Sequence, residues 1–183
     1  CPPNIARLIE DLGSYCFTES EDTVFINLYE SCVADCAAAE IEISSDYLKS
    51  GKVSVKIKPK KAFTLAFRIP GWCDHFKFSK ENPFIKKGYA YFEIDGKTTI
   101  EAEFETRVKI MRCNPKVREN IGKAAIMRGP FVYCLEEEDN GAGLHMLRLA
   151  EHPKFEFDGE NILANGYREK FTGSALYSEY KQP

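Results

Sequence analysis

The spacing of apolar residues changes at Gly13, and that change limits the chain to one leading helix followed by strands. Before it, Ile5, Leu8, Ile9 and Leu12 recur at i, i+3, i+4 and i+7, the spacing of one helical face. Pro2 and Pro3 at the entry and Gly13 at the exit bound a short helix over Pro2 to Leu12. Arg7, Glu10 and Asp11 fill its polar side, so the apolar stripe is built to lie against another element. Each stripe residue contributes about 1.5–3 kcal/mol when fully buried, and a helix this short does not persist alone in water.

Beyond Gly13 the period is two. Thr23–Tyr29, Lys52–Lys58 and Ala62–Ile69 alternate or are rich in β-branched and aromatic residues, which predicts strands. Further strands are predicted at Ala39–Ile43, Phe76–Phe78, Tyr89–Ile94, Thr98–Glu105 and Val108–Met111, separated by turn sequences such as Ile94-Asp95-Gly96-Lys97. Many short strands without interleaved helices predict an all-β chain, an antiparallel β-sandwich. A fresh start near Asn120-Ile121-Gly122-Lys123 opens a partial second β-sandwich. There, Ala124 to Leu135 reads as one long strand bent at Gly129-Pro130, since proline cannot donate to a ladder. Glu136 to Gly143 reads as an exposed loop, with strands after it at His145–Ala150 and Phe155–Phe157. The expected division is 1–13 helix, 14–120 first sandwich and 121–183 partial second sandwich. Both ends read as cut from something longer: Cys1 precedes the helix without an initiator Met, and Lys181-Gln182-Pro183 closes no element.

Composition narrows the function classes. The 183 residues are 44% hydrophobic and 29% charged, an ordinary globular balance that sets disorder aside. No run approaches the roughly 20 apolar residues of a membrane helix. With 25 basic against 28 acidic side chains, net charge −3 and no basic stripe, nucleic acid is not an expected partner. The densest cationic stretch, Lys56-Ile57-Lys58-Pro59-Lys60-Lys61, is expected on a solvated sheet edge. Seven cysteines, an odd number without CxxC spacing, predict reduced thiols and a cytoplasmic location. Cys32 and Cys36 could share a strand face as half a metal site, although buried thiols are the commoner outcome.

No active site assembles from spacing alone. Glu101, Glu103 and Glu105 share one strand face and read as a solvated stripe rather than the two flanking carboxylates of a glycosidase. His75, His145 and His152 lie in loop-like sequence with no nucleophile elbow. Gly122-Lys123 has no P-loop spacing. Trp72, beside Gly71 in a turn, could stack on a sugar or plug one end of the core. Cys1, immediately before a helix start, is a position where thiolate chemistry or metal ligation is plausible.

Three motifs add a resemblance. Cys1-Pro2-Pro3-Asn4-Ile5-Ala6-Arg7-Leu8, Leu65-Ala66-Phe67-Arg68-Ile69-Pro70-Gly71-Trp72-Cys73 and Gly122-Lys123-Ala124-Ala125-Ile126-Met127-Arg128-Gly129-Pro130-Phe131-Val132-Tyr133-Cys134 resemble, in order and spacing, the C-terminal third of the β-L-arabinofuranosidase family, glycoside hydrolase family 127. The resemblance spans roughly residues 1–140 and is looser beyond. It implies an (α/α)6 catalytic barrel followed by two β-sandwich domains, with residues 1–13 as the helix left over from the barrel. The family's catalytic motif is a Cys-Cys pair before Pro-Pro-Asn. The first Cys is the nucleophile and the second a zinc ligand, and Cys1 matches the second. A Glu acid/base completes a retaining double displacement.

The resemblance places the nucleophile just before Cys1 and the other zinc ligands and the Glu further upstream. The chain is therefore expected to contain no catalytic residue, to keep Cys1 as its one metal ligand, to bind no zinc alone and to be inactive alone. Its expected partners are the barrel of the same parent, which the sandwich would buttress by burying the helix stripe against strands, and a plant glycan acted on by the parent. Two alternatives stay open. A carbohydrate-binding module would expose coplanar aromatics, with Tyr89, Tyr91, Trp72 and Phe76 as candidates, and a structural or oligomerising domain would expose an apolar patch.

Overall fold

The computed structural model describes residues 1–170 and 175–177. The last residues, Lys181-Gln182-Pro183, for which no closing element was expected, lie outside the described residues. The chain divides into two units, the first comprising Cys1–Arg107 with the Arg128–Phe131 turn, the second Val108–Met127 and residues from Val132 onward.

In the first unit, helix α1 (Pro2–Cys16) leads into ten strands: β1 (Phe17–Glu19), β2 (Thr23–Ile26), β3 (Cys32–Asp35), β4 (Ala39–Asp46), β5 (Lys52–Pro59), β6 (Phe63–Arg68), β7 (Phe76–Phe78), β8 (Phe84–Lys86), β9 (Tyr89–Ile94) and β10 (Thr98–Phe104). They form two five-stranded sheets, β1-β2-β6-β9-β8 and β3-β4-β5-β10-β7. One core joins their inner faces. Val24, Ile26, Phe63, Leu65, Phe67, Ala90, Phe92 and Ile94 come from the first sheet, and Ile41, Ile43, Val53, Val55, Ile57, Ile100, Ala102 and Phe104 from the second. The two sheets therefore pack as the expected β-sandwich. Phe78 stitches them, its ring centroid 5.4 Å from Phe67 and 5.1 Å from Phe92, both edge-on.

Within the first unit pairing is antiparallel with one exception, β2 alongside β6 in parallel. The chain leaves the first sheet after β2, builds β3, β4 and β5 in the second, and returns at β6. A connection that travels through the opposite sheet, unlike a tight hairpin, can bring the returning strand in parallel.

Several local expectations are corrected. The helix passes through Gly13 and stops at Cys16, where Phe17 turns extended (φ −128°). Gly13 keeps a negative φ, so it weakens the helix without ending it. The stripe is not buried on strands: Leu12 is 43% and Ile9 69% exposed, and Cys16 is the buried residue of the helix. The lysine-rich stretch Lys56–Lys61 is not at an edge, because β5 is the middle strand, paired to β4 and β10. Val55 and Ile57 face the core, while Lys56 and Lys58 face solvent and reach Glu42 at 3.0 Å and Glu40 at 2.5 Å.

The second unit is built of small sheets. Strands β11 (Val108–Met111), β12 (Ala125–Arg128) and β13 (Phe131–Tyr133) form one, with β12 central. The expected bent strand over 124–135 is instead a hairpin turning at Gly129-Pro130. Gly129 at φ 55° followed by proline's locked negative φ gives the sign pattern of a type II′ turn. A one-turn helix, α2 (Glu137–Asn140), occupies what reads as loop. Strands β14 (Leu147–Leu149) and β17 (Gly166–Arg168) pair, as do β15 (Phe155–Phe157) and β16 (Ile162–Ala164). Among the described residues, the second unit contributes none of the fully buried large side chains.

Candidate functional site

Cys1 is the N-cap of α1, and its carbonyl accepts the N–H groups of Asn4 at 3.1 Å and Ile5 at 3.4 Å. Pro2 and Pro3 carry no N–H, which removes two donors that a helix start would otherwise leave without partners. The backbone of Cys1 is thus fixed by the helix, while its side chain caps nothing and is exposed.

Zinc needs three protein ligands in catalytic sites and four in structural ones. Among the described residues no group of three or more His, Cys, Asp or Glu side chains stands together. Cys1 is one donor, so the described residues do not by themselves fit the metal.

The other thiols sit in structural settings. Burial raises the pKa of Cys16, Cys32 and Cys36, with smaller contributions from Glu30 at Cys16, Cys16 and Glu30 at Cys32, and Glu19 and Asp35 at Cys36. Protonated thiols are weak nucleophiles and weak ligands. Cys32 lies on β3 whereas Cys36 falls beyond that strand's end, so they do not share a strand face. Cys73 Sγ donates to the His75 carbonyl at 3.0 Å.

His75, His145 and His152 are exposed, and among the described residues no hydrogen bond links their imidazoles to a serine or carboxylate. Glu101 and Glu103 line the outer side of β10, where Glu101 accepts the Ser54 hydroxyl at 2.7 Å.

The four aromatic candidates separate. Trp72 packs on the core with its ring stacked against Tyr47, centroids 6.0 Å apart, so it plugs the core. Phe76 also packs against the core and lines a small depression with Phe78, Lys80, Glu81, Asn82 and Pro83. Tyr89 and Tyr91 stand together on the outer side of the first sheet, each edge-on to Phe25 at 5.4 and 6.2 Å.

That outer face has a definite row structure. Register aligns Phe25, Ala66, Tyr91 and Phe84 across β2, β6, β9 and β8. The neighbouring row aligns Thr23, Thr64 and Glu93. Thr64 Oγ1 donates to Glu93 at 3.0 Å, and at the other end Tyr89 Oη donates to Asn27 Oδ1 at 2.7 Å. Phe25, Phe84, Thr64 and Glu93 were not among the sequence candidates. Alternation alone placed Tyr91 and Glu93 on one side of β9 but could not say what other strands set beside them.

Residues 23–114 match the family model of the β-L-arabinofuranosidase GH127 middle domain, and residues 108–170 match that of the GH127 C-terminal domain. The chain belongs to glycoside hydrolase family 127. It is 32% identical over 166 residues to the non-reducing end β-L-arabinofuranosidase of Bifidobacterium longum subsp. longum, covering 82% of this chain and 25% of that protein. Among solved structures it resembles a GH127 β-L-arabinofuranosidase from Geobacillus stearothermophilus T6, with TM-score 0.73, 37% identity, and coverage of 85% of this chain and 27% of the other. A second GH127 β-arabinofuranosidase gives TM-score 0.77 at 28% identity, with coverage of 85% and 29%. This family member therefore spans about a quarter to three tenths of the relatives it matches. The three motifs read from the sequence point to the same family.

Proposed function

We propose that this chain is the sandwich region of a retaining glycoside hydrolase acting on β-L-arabinofuranosides, that it supports the catalytic domain, and that alone it hydrolyses nothing. One observation carries the reading: α1 holds its apolar stripe in solvent and presents Cys1, exposed, at its start. A helix with that stripe fits against further helices, and the relatives are three to four times longer than this chain. In the longer protein Cys1 would be one zinc ligand, with the remaining ligands, the nucleophile and the general acid/base supplied by residues outside this chain. The sandwich's part is mechanical: its core fixes the strands on which α1 is anchored through buried Cys16.

The test is hydrolysis of a chromogenic β-L-arabinofuranoside by this chain and by a protein extended upstream through the helical domain, each with and without zinc under reducing conditions. Turnover by the extended protein alone, abolished by Cys1→Ser together with its bound zinc, is the expected result. Turnover by this chain overturns the proposal.

A further inference from the structure

On the outer face of the first sheet, Thr23, Thr64, Tyr91, Glu93 and Phe84 line an open depression of ≈ 600 Å³, with Lys80, Glu81 and Asn82 at its rim. We propose that this depression is a saccharide-binding site, separate from Cys1, that holds neutral glycan chains; the choice of ligand class rests on the glycosidase reading above.

The chemistry of the lining selects the ligand. Phe84 and Tyr91 stand 6.2 Å apart with ring planes inclined at 49°, forming an open corner rather than a closed stack. Phe84 is 65% exposed, so its face is available to a ligand. Aromatic faces carry negative charge density, which attracts the polarised C–H bonds of a sugar ring. Beside them, Glu93 receives one hydrogen bond from Thr64, and a carboxylate has about four acceptor positions, so sites remain for sugar hydroxyls. The rim is tied to the sheet by Lys80, whose ammonium donates to the Glu93 carbonyl at 2.6 Å. Lys80, Glu81 and Glu93 place both signs of charge around the depression, which disfavours a strongly anionic or cationic ligand.

The opposite outer face of the same sandwich sharpens the contrast. There, Lys56–Glu42 and Lys58–Glu40 pairs and the Ser54–Glu101 hydrogen bond cover the sheet with groups that water satisfies. An aromatic row flanked by hydroxyl and carboxylate groups occurs on the first sheet's side.

Isotope-labelled chain is titrated with arabino-, xylo- and cello-oligosaccharides, followed by amide NMR shifts and calorimetry. Saturable shifts at Thr64, Asn82, Tyr91 and Glu93 are expected with at least one of them. Phe84→Ala, at an exposed edge position, should weaken binding at least about tenfold, as loss of an aromatic anchor does. Tyr91→Ala should do the same, and Glu101→Gln on the other sheet should leave affinity unchanged. Thermal unfolding of each variant separates lost binding from lost fold. The proposal is overturned by the absence of saturable shifts, by shifts clustered elsewhere, by unchanged affinity in folded Phe84→Ala, or by loss of binding in the extended protein because its own segments cover the depression. Arabinofuranosidase turnover without binding would refute this site alone; binding without turnover in the extended protein would refute the hydrolase reading alone.

Discussion

Gly51 and Phe104 meet backbone to backbone at the end of the second sheet: the Phe104 N–H donates to the Gly51 carbonyl at 2.8 Å, and a Cβ added to Gly51 would lie 1.9 Å from the Phe104 carbonyl oxygen. Gly51 also sits at φ 77°, where a side chain is strained. Gly51→Ala must therefore break a contact that pins fully buried Phe104. We expect a loss on the order of 3–5 kcal/mol, read from denaturant midpoints. Gly96→Ala, with open space around its Cβ direction, serves as the control and should change stability by about 1 kcal/mol at most.

Stability should fall in alkali. Burial raises the pKa of Tyr29 well above its usual value, with smaller effects from Tyr47 and Tyr89, and its hydroxyl donates to the Arg68 carbonyl at 2.5 Å. Burial likewise raises Cys16, Cys32 and Cys36. Groups with raised folded-state pKa hold protons that the unfolded chain releases. Their stabilisation is full below the unfolded values, about 8.5 for thiols and 10 for phenols, and is lost as pH rises through the folded ones. Midpoints should hold steady to about pH 8.5 and then decline. Tyr29→Phe should cost about 1–2 kcal/mol at neutral pH and flatten the decline above about pH 10. Equal slopes in both proteins would refute the assignment to Tyr29.

Strand β5 should respond differently on its two faces. Removing the exposed Lys56–Glu42 pair by the double change to Ala should cost about 0–1 kcal/mol, less at high salt. Ile57→Ala, one residue along and fully buried, should cost about 2–5 kcal/mol. Comparable costs would mean that Ile57 is not held in the core.

The stripe on α1 should be dispensable to this chain and indispensable to the longer protein. Leu8→Gln with Ile9→Gln should leave this chain's stability within about 0.5 kcal/mol per substitution, because both side chains are already in solvent. The same pair should also reduce self-association, read by light scattering. In the extended protein it should lower the unfolding temperature and the turnover together. A large loss in this chain alone would show that the stripe packs on its own sandwich.

Legibility followed the range of the physics involved. Period-two alternation placed β5, β6, β9 and β10 because each has one face in the core, whereas for Trp72 the sequence left both a sugar platform and a core plug open, and its packing on the core decided for the plug. The short strands β1, β3, β8, β16 and β17 were missed: three or four residues are too few to show a period, and in β3 and β8 Val33 and Phe84 also point apolar groups at solvent. At Gly129-Pro130 the same residues fit a bend or a reversal, and the pairing of β12 with β13 decided for reversal. Cys1 was legible as chemically interesting from its place before two prolines, yet nothing in one chain's spacing could supply the partners a metal needs.

The sequence by itself determined the class of fold, the switch from helix to sheet, the family and the solvent-facing lysines, because each depends on neighbours two to four residues apart or on ordered motifs. Only the tertiary structure decided that β2 and β6 run in parallel, that the lysine strand is central, and that Phe84, Tyr91, Thr64 and Glu93 converge. Those facts rest on register between strands tens of residues apart in the chain, and register is set by the packing of both sheets onto one core, which no local pattern records.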